Sequence, residues 1–555
     1  MYFYGIDLGT TYSCIARADA NGKVEVLKNI EGKNITPSVV EFNSPTEIVV
    51  GETAKGDAIL APDNVVLYIK RSMGKHDASQ DFHGQSFTPE QISAFIIKKL
   101  VSDAEKTTGD KITDVVITVP AYFGFDERQA TENAGKIAGV NVLAIVNEPT
   151  AAAIAYSQQT KAKEDKVVLV YDLGGGTFDI TVAEIVGDKV TVIATNGNHA
   201  LGGKDWDTEL MSYFIAQFCE KTGVAEEEIY EDSEILNELV IKTEEAKKEL
   251  TSKGSASFTL SMGRGKRAKL EVTLEKFNEL TRHHLLSTVE LTKVVLKEAS
   301  SKTSSKSKPC NQFDEIIFVG GSTRMRQVKE AMKKEFGADP QIFEPDEAVA
   351  RGAALLAQFL ATTPQDSGSG AGGMKAAPPA RFGEVTSKSY GIETLVDGKE
   401  KLSNVILKND EIPLSNTQTY YTVQANQRSV HIIVYESNLM EETLELSFGK
   451  QIADGHLELP PGLPDESPLD VTFSLDRNGL LAITAVERTR GSKCHIEVKT
   501  EGLSESEVLK LQRQTSRMKL GDDDEPAVAE PARPAPPPPT KTEAPAASGD
   551  DPWKF

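Results

Sequence analysis

Two stretches of the chain share one grammar. GIDLGTTYSCIARADANGKVEVL at 5–27 and YDLGGGTFDITVAEIVGDKVTVI at 171–193 each read as a strand ending in Asp-Leu-Gly, a Gly/Thr turn, a second strand, a hairpin and a third strand. A chain that repeats such a unit is constrained to two similar lobes. An Asp at the end of a buried strand projects into the crevice beyond the strand ends. Carboxylates there suit Mg²⁺, which keeps much of its hydration. Gly9, Gly174, Gly175 and Gly176 let backbone approach an oxyanion closely. Successive N–H groups in such turns form an anion nest, and Thr10, Thr11 and Thr177 add hydroxyls. A single glycine turn is more often structural. Two copies facing each other predict a clamp on the β- and γ-phosphates, with the metal between Asp7 and Asp172.

Three further stretches are ambiguous when read alone. FVGGSTRM at 318–325 puts Gly320 and Gly321 between a strand and a helix N-terminus, which suits an anion but also describes an ordinary turn. EEAKKEL at 244–250 reads as a solvated helix face. Lys70, in YIKRSMGK, reads as a surface lysine.

The remaining organisation follows from periodicity. KVVLVYD at 166–172 is a buried strand, EILNELVIKTEEAKKELT at 234–251 has helical spacing, and 314–337 reads as strand, Gly turn and helix. This is α/β patterning. Residues 363–380 hold almost no large apolar side chain and read as a flexible linker. Beyond it the period becomes two: Val430, Ile432 and Val434; Leu444, Leu446 and Phe448; Val471, Phe473 and Leu475; Leu481 and Ile483; Ile496 and Val498. With the DRNG turn at 476–479, this predicts a β-sandwich. One amphipathic helix follows Ser504, and then a tail opening on Asp522, Asp523, Asp524 and Glu525 and rich in Pro.

The 555 residues carry 61 basic and 83 acidic side chains, a formal charge of −22. That balance argues against a nucleic-acid backbone or an anionic lipid surface as the main partner. Apolar runs are strand-sized, so no membrane span is expected. Cys14, Cys219, Cys310 and Cys494 are far apart and form no CxxC, which fits a reducing compartment. The N-terminus reads directly as a strand with no secretory leader. The expectation is a cytoplasmic multidomain protein.

GIDLGTTYS, VPAYF, NEPTAAAIAY, DLGGGTFD, LGG-x-DWD, VGGSTR and PDEAVARGAA occur in that order, and together they resemble the heat-shock protein 70 family of DnaK-type chaperones. The resemblance implies an α/β, actin/hexokinase-like (ribonuclease H-like), two-lobed ATPase domain at 1–362. It implies a linker at 363–383, an all-β peptide-binding sandwich at 384–502, a short helix at 503–520 in place of a full lid, and a disordered acidic tail at 521–555. The implied activity is ATP hydrolysis coupled to binding of extended apolar polypeptide in protein folding and the stress response. The implied ligands are ATP or ADP with Mg²⁺, and K⁺ as a further ion. Tyr12 joins Thr10, Thr11, Gly174, Gly175, Gly176 and Thr177 as phosphate contacts by this resemblance. Asp7, Asp172 and Asp179 attend the hydrated Mg²⁺ and the attacking water. Lys70 is the catalytic lysine, with Glu148 and Thr177 near the γ-phosphate. Adenosine lies among Gly202, Gly203, Glu244, Lys247, Lys248, Gly320, Gly321, Ser322, Arg324 and Asp346. Pro120 and Arg128 match the family's switch. Ile392, Thr394, Leu395, Tyr420, Val423, Val430 and Ile432 fall on the peptide pocket and arch, although periodicity alone reads them as sandwich core. The implied partners are unfolded clients, a nucleotide-exchange factor and a J-domain co-chaperone. An alternative is a non-catalytic or uncoupled ATP-binding scaffold.

Four departures qualify the resemblance. The family's Asp-ended leucine run is replaced by Ala380, Arg381, Phe382, Gly383 and Glu384. Losing large apolar side chains at about 1.5–3 kcal/mol each predicts weaker interdomain docking. The Gly/Ser-rich linker has a reach on the order of 25 Å. The helical lid is missing, and the C-terminal DPWKF lacks the family's acidic docking peptide. Ala144 stands where the family carries an arginine that contacts the J-domain, so that partnership is less expected. Lys204, in LGGKDWD, replaces an acidic residue.

Overall fold

The computed structural model describes residues 1–521 apart from Leu60, His76, 161–163, Arg264, 363–381, Asp397, Ser492 and 497–502. The acidic tail from 522 and most of the stretch read as linker therefore lie outside the described residues.

The sequence repeat is a repeat of topology. In the first lobe, Tyr2–Asp7 lies between antiparallel Tyr12–Asp19 and parallel Asp114–Val119, with Asn141–Asn147 at one edge and Val24–Val26 at the other. In the second, Lys166–Leu173 lies between antiparallel Phe178–Val186 and parallel Glu315–Val319. The central strands are largely buried and apolar between their ends, with Asp7 and Asp172 at or near their C-terminal ends. Register sets Asp7 opposite Cys14 and Asp172 opposite Asp179.

Two helices, Glu148–Thr160 and Ala348–Thr362, cross where the lobes meet. A Cβ on Gly352 would come within 1.7 Å of the Ala151 carbonyl oxygen, and one on Gly5 within 2.2 Å of the Ala354 nitrogen. Only glycine lets backbones approach this closely.

The region from Ser389 forms a five-stranded sheet packed on a four-stranded sheet. Val471, Phe473, Leu475 and Ile483 point inward as the alternation predicts. Leu444, Leu446 and Phe448 depart from it. Thr443–Glu445 is a short strand, and Leu446–Phe448 forms a 3-10 turn that leaves Phe448 exposed.

The β domain is docked on the ATPase-like half. Phe382–Val385 pairs in parallel with Lys189–Asn198 and antiparallel with Glu411–Ile412. Phe382 and Gly383, read from sequence as linker, thus belong to a strand continuing the second-lobe sheet. Docking expected to suffer without leucines rests here on backbone pairing, on Phe382 stacked edge-on to Phe359, and on Lys408 paired with Glu298 at 2.8 Å. The C-terminal helix, Glu505–Arg517, is capped by Ser504 with Glu507, and Val508 packs against Ala94 and Ile137 of the first lobe. The helix stops before the predicted 520. Lys519–Leu520 instead adds a parallel strand to Glu47–Val50, burying Met518 and Leu520 in the first-lobe core.

Glu436 marks the docked interface. It is buried against Gly124, and its Oε2 has no hydrogen-bond partner. Burial first, then Glu127 and Asp126, push its carboxyl up to about 7 against the opposing pull of Lys388 and Lys450. Docking therefore favours protonated Glu436. The contribution is fully present below the ordinary glutamate range and is lost as pH rises through about 7. Interdomain energy transfer should fall across that window, with a slope of at most about 1.4 kcal/mol per pH unit. Glu436→Gln should flatten the profile and strengthen docking at neutral pH. A wild-type profile that rises with pH would contradict this.

Candidate functional site

The two repeated turns face each other across the seam. A Cβ on Gly175 would meet the Thr11 side chain at 2.2 Å, and one on Gly176 would meet Thr10 at 2.3 Å. The turns border a cavity of about 540 Å³, within the range of small-molecule sites. Asp7, Lys70, Glu148 and Asp172 line its base, with Gly9, Thr10, Thr11, Tyr12, Gly174, Gly175 and Thr177 beside them.

Lys70 lies in the turn Ile69–Ser72 and forms a buried ion pair with Glu148, the first residue of its helix. Thr118 Oγ1 donates to Asp7 at 3.2 Å, and the Ala121 amide, just after Pro120, donates to Asp179 at 2.8 Å. Asp179 is buried and is not among the residues lining the cavity, and its Oδ2 has no hydrogen-bond partner. Burial and then repulsion from Glu148 push Asp7 up to about 7 and hold Asp172 and Asp179 well above the usual carboxylate range. One ammonium cannot neutralise Glu148, Asp172, Asp179 and the half-buried Asp7 together. The unmet negative charge fits a divalent cation.

Farther up, Glu244 accepts from Lys55 of the first lobe at 2.6 Å and pairs with Lys248 at 2.8 Å. Despite burial, these two cations hold its carboxyl at about 2. Lys247 bonds Asp207 at 2.6 Å and the Gly203 carbonyl at 2.9 Å. Ser322 Oγ donates to the Gly174 carbonyl at 2.9 Å, and Arg324 pairs with Asp346 at 2.5 Å. Gly320, Gly321, Ser322, Arg324 and Asp346 line the same cavity. Gly176, Gly202 and Gly203 form the backing of the turn; a Cβ on Gly202 would meet the Gly176 carbonyl carbon at 2.5 Å.

Sequence reasoning missed Lys55, Tyr68, Arg71 and Asp207. Arg71 donates across the seam to the Gly176 carbonyl at 2.7 Å and to Asp205 at 2.7 Å. Tyr68 has a left-handed backbone, φ 61°, uncommon for a side chain of this size. Lys204 stands over its ring at 4.2 Å, which gives that substitution a structural role as a cross-lobe cation–π contact.

Arg128 is buried between the halves. It donates to Asn147 Oδ1 at 2.5 Å, to the Phe123 carbonyl at 3.0 Å and to the Asn478 carbonyl at 3.4 Å. Asn478 belongs to the DRNG turn of the β domain, and its Oδ1 accepts from the edge-strand amide of Ile145 at 3.2 Å. A contiguous chain thus runs from Asn478 through Arg128 and Asn147 to Glu148 and Lys70. Ala144, beside Ile145, is 9% exposed and borders an apolar cleft with Phe382. The seven residues matched to the peptide pocket divide. Ile392 and Ile432 lie in the sandwich core, Tyr420 and Val430 pack against it, Thr394 is half-buried, and Leu395 and Val423 are 58% and 71% exposed.

The sequence model of the family described as Hsp70 protein matches residues 3–533, nearly the whole chain. The chain belongs to the Hsp70 family. It is a chaperone of the Hsp70 type, and its two-lobed half and β-sandwich are that family's architecture. Family members generally are ATPases and bind ATP or ADP with Mg²⁺. Among the described residues, no helix of this Hsp70 is long and apolar enough to cross a membrane.

Removing the Asn478 side chain leaves the Ile145 amide unpaired at the interface. Asn478→Ala should weaken docking of this Hsp70 by about 1 kcal/mol, a several-fold shift toward the undocked form. Interdomain energy transfer measures the shift. Unchanged docking would contradict the bridging role.

Proposed function

We propose that this chain hydrolyses ATP in the cleft and binds extended apolar polypeptide on its β domain. The observation that carries the reading is the buried Lys70–Glu148 pair among Asp7, Asp172 and Asp179, facing two glycine turns. Asp7 and Asp172 hold hydrated Mg²⁺, which supplies charge neutralisation on the phosphates when bound. The turn amides and the hydroxyls of Thr10, Thr11 and Thr177 orient the triphosphate. Lys70 sets positive charge beside the γ-phosphate, and Glu148 holds Lys70 in place. Water attacks the γ-phosphorus, the bond to the bridging oxygen breaks, and a cleft carboxylate takes the proton. Most of the acceleration is positioning and charge stabilisation.

Polypeptide binding is supported by the exposed apolar side chains Leu395, Tyr421 and Val423 on the β domain. The clients are extended apolar segments. The cytoplasmic compartment and a nucleotide-exchange partner belong to the same reading. A second reading, an ATP-binding scaffold held in one state, draws on the C-terminal helix and strand that strap the first lobe.

Lys70→Ala tests the catalytic half. Single-turnover hydrolysis should fall by at least about a hundredfold while MgATP binding changes far less, because the lost interaction acts on the transition state. Unchanged hydrolysis would overturn the assignment. No hydrolysis by the wild type would favour the scaffold.

A further inference from the structure

Outside the cleft, three metal-binding side chains converge at a break between helices. Glu209 lies on Gly203–Thr222, and His283 and His284 open Arg282–Ala299, directly after Leu274–Leu280 ends at Thr281. Side chains at successive helix positions ordinarily diverge. Here the two imidazole centroids are 3.9 Å apart. Glu209 Oε1 is 3.5 Å from His283 Nε2 and 3.7 Å from His284 Nε2. These separations are too long for hydrogen bonds. They match the edge of a tetrahedron of ligands around zinc, about 3.4 Å for bonds of ~2.1 Å.

The environment of His284 points the same way. Its Nε2 is shut off from solvent and has no hydrogen-bond partner. The Trp206 ring packs against the His284 ring at a tilt of 39°, centroids 5.0 Å apart.

A second cluster, His431, Asp454 and His456, differs. All three are exposed, and His431 Nε2 meets Asp454 Oδ2 at 3.0 Å, an ordinary hydrogen bond between neighbouring strands. It needs no ion to account for its geometry.

We propose that Glu209, His283 and His284 form a Zn²⁺ site completed by water. Two imidazoles and a carboxylate suit zinc and disfavour Mg²⁺ or Ca²⁺. Half-exposed Glu209 and exposed His283 leave an open route for the ion. The site would tie the start of the cleft-forming helix, which carries Gly203 and Asp207, to the helix Arg282–Ala299.

The test is a Zn²⁺ titration of the metal-stripped full chain against a chromophoric chelator, with excess Mg²⁺ present to occupy the cleft carboxylates. The result expected is one site per chain, weakened at least about tenfold by Glu209→Gln and by His284→Ala and unaffected by His431→Ala with His456→Ala. Co²⁺ should give the intense visible absorption of a tetrahedral centre in the wild type, absent in Glu209→Gln. Glu209 is partly exposed, so that variant should fold even if His284→Ala does not. No Zn²⁺ binding, binding retained in Glu209→Gln, or binding lost only in the His431/His456 variant would each overturn the proposal.

Discussion

The structure depends on one close approach. The helices Glu148–Thr160 and Ala348–Thr362 cross with Gly352 against the Ala151 carbonyl, and Gly5 of the first strand accepts Ala353 and Ala354 against its backbone. Any side chain at those glycines would push the helices apart, since cores transmit volume changes rather than absorb them. The crossing sets Glu148 at the base of the cleft. Glu148 in turn fixes Lys70, and the lobes are held at the spacing that lets Gly175 and Gly176 touch Thr11 and Thr10. A buried cluster of carboxylates around one lysine is costly by itself. Its persistence fits a site built for a cation and a polyanion rather than for stability.

The second constraint is the join between the halves. Backbone pairing of Phe382 and Gly383 with Val190 and Thr191 needs no leucine side chain. Arg128 then links the DRNG turn to Asn147, the residue before Glu148. The β domain is therefore one short hydrogen-bonded chain away from Glu148 and its partner Lys70. The C-terminal strand contributes a separate hold, seating Met518 and Leu520 in the first lobe.

Much of this was legible from residues. The Asp-Leu-Gly repeat announced the two lobes, the facing turns and the placement of Asp7 and Asp172, because two copies of one strand-turn unit imply two similar lobes that meet at their turns. The period-two region announced the sandwich. What escaped was contact between distant segments. Nothing near Arg71 or Lys55 distinguishes a cross-seam donor from a surface cation, and Lys204 acquires a reason only beside Tyr68. Ile392 and Leu395 share one strand and one resemblance, yet one lies in the core and the other in solvent, because strand ends leave the sandwich at points that periodicity does not mark. Lys519 and Leu520 continue a helical pattern and become a strand because an open edge at Glu47–Val50 is there to receive them.

We propose that nucleotide bound in the cleft governs peptide release from the docked β domain through the hydrogen-bonded chain at Arg128. The most direct measurement is the dissociation rate of a labelled extended apolar peptide from the full chain with ATP bound and with ADP bound. The account predicts release many-fold faster with ATP. Equal rates in the two states would contradict it and leave the two halves joined in structure but independent in action.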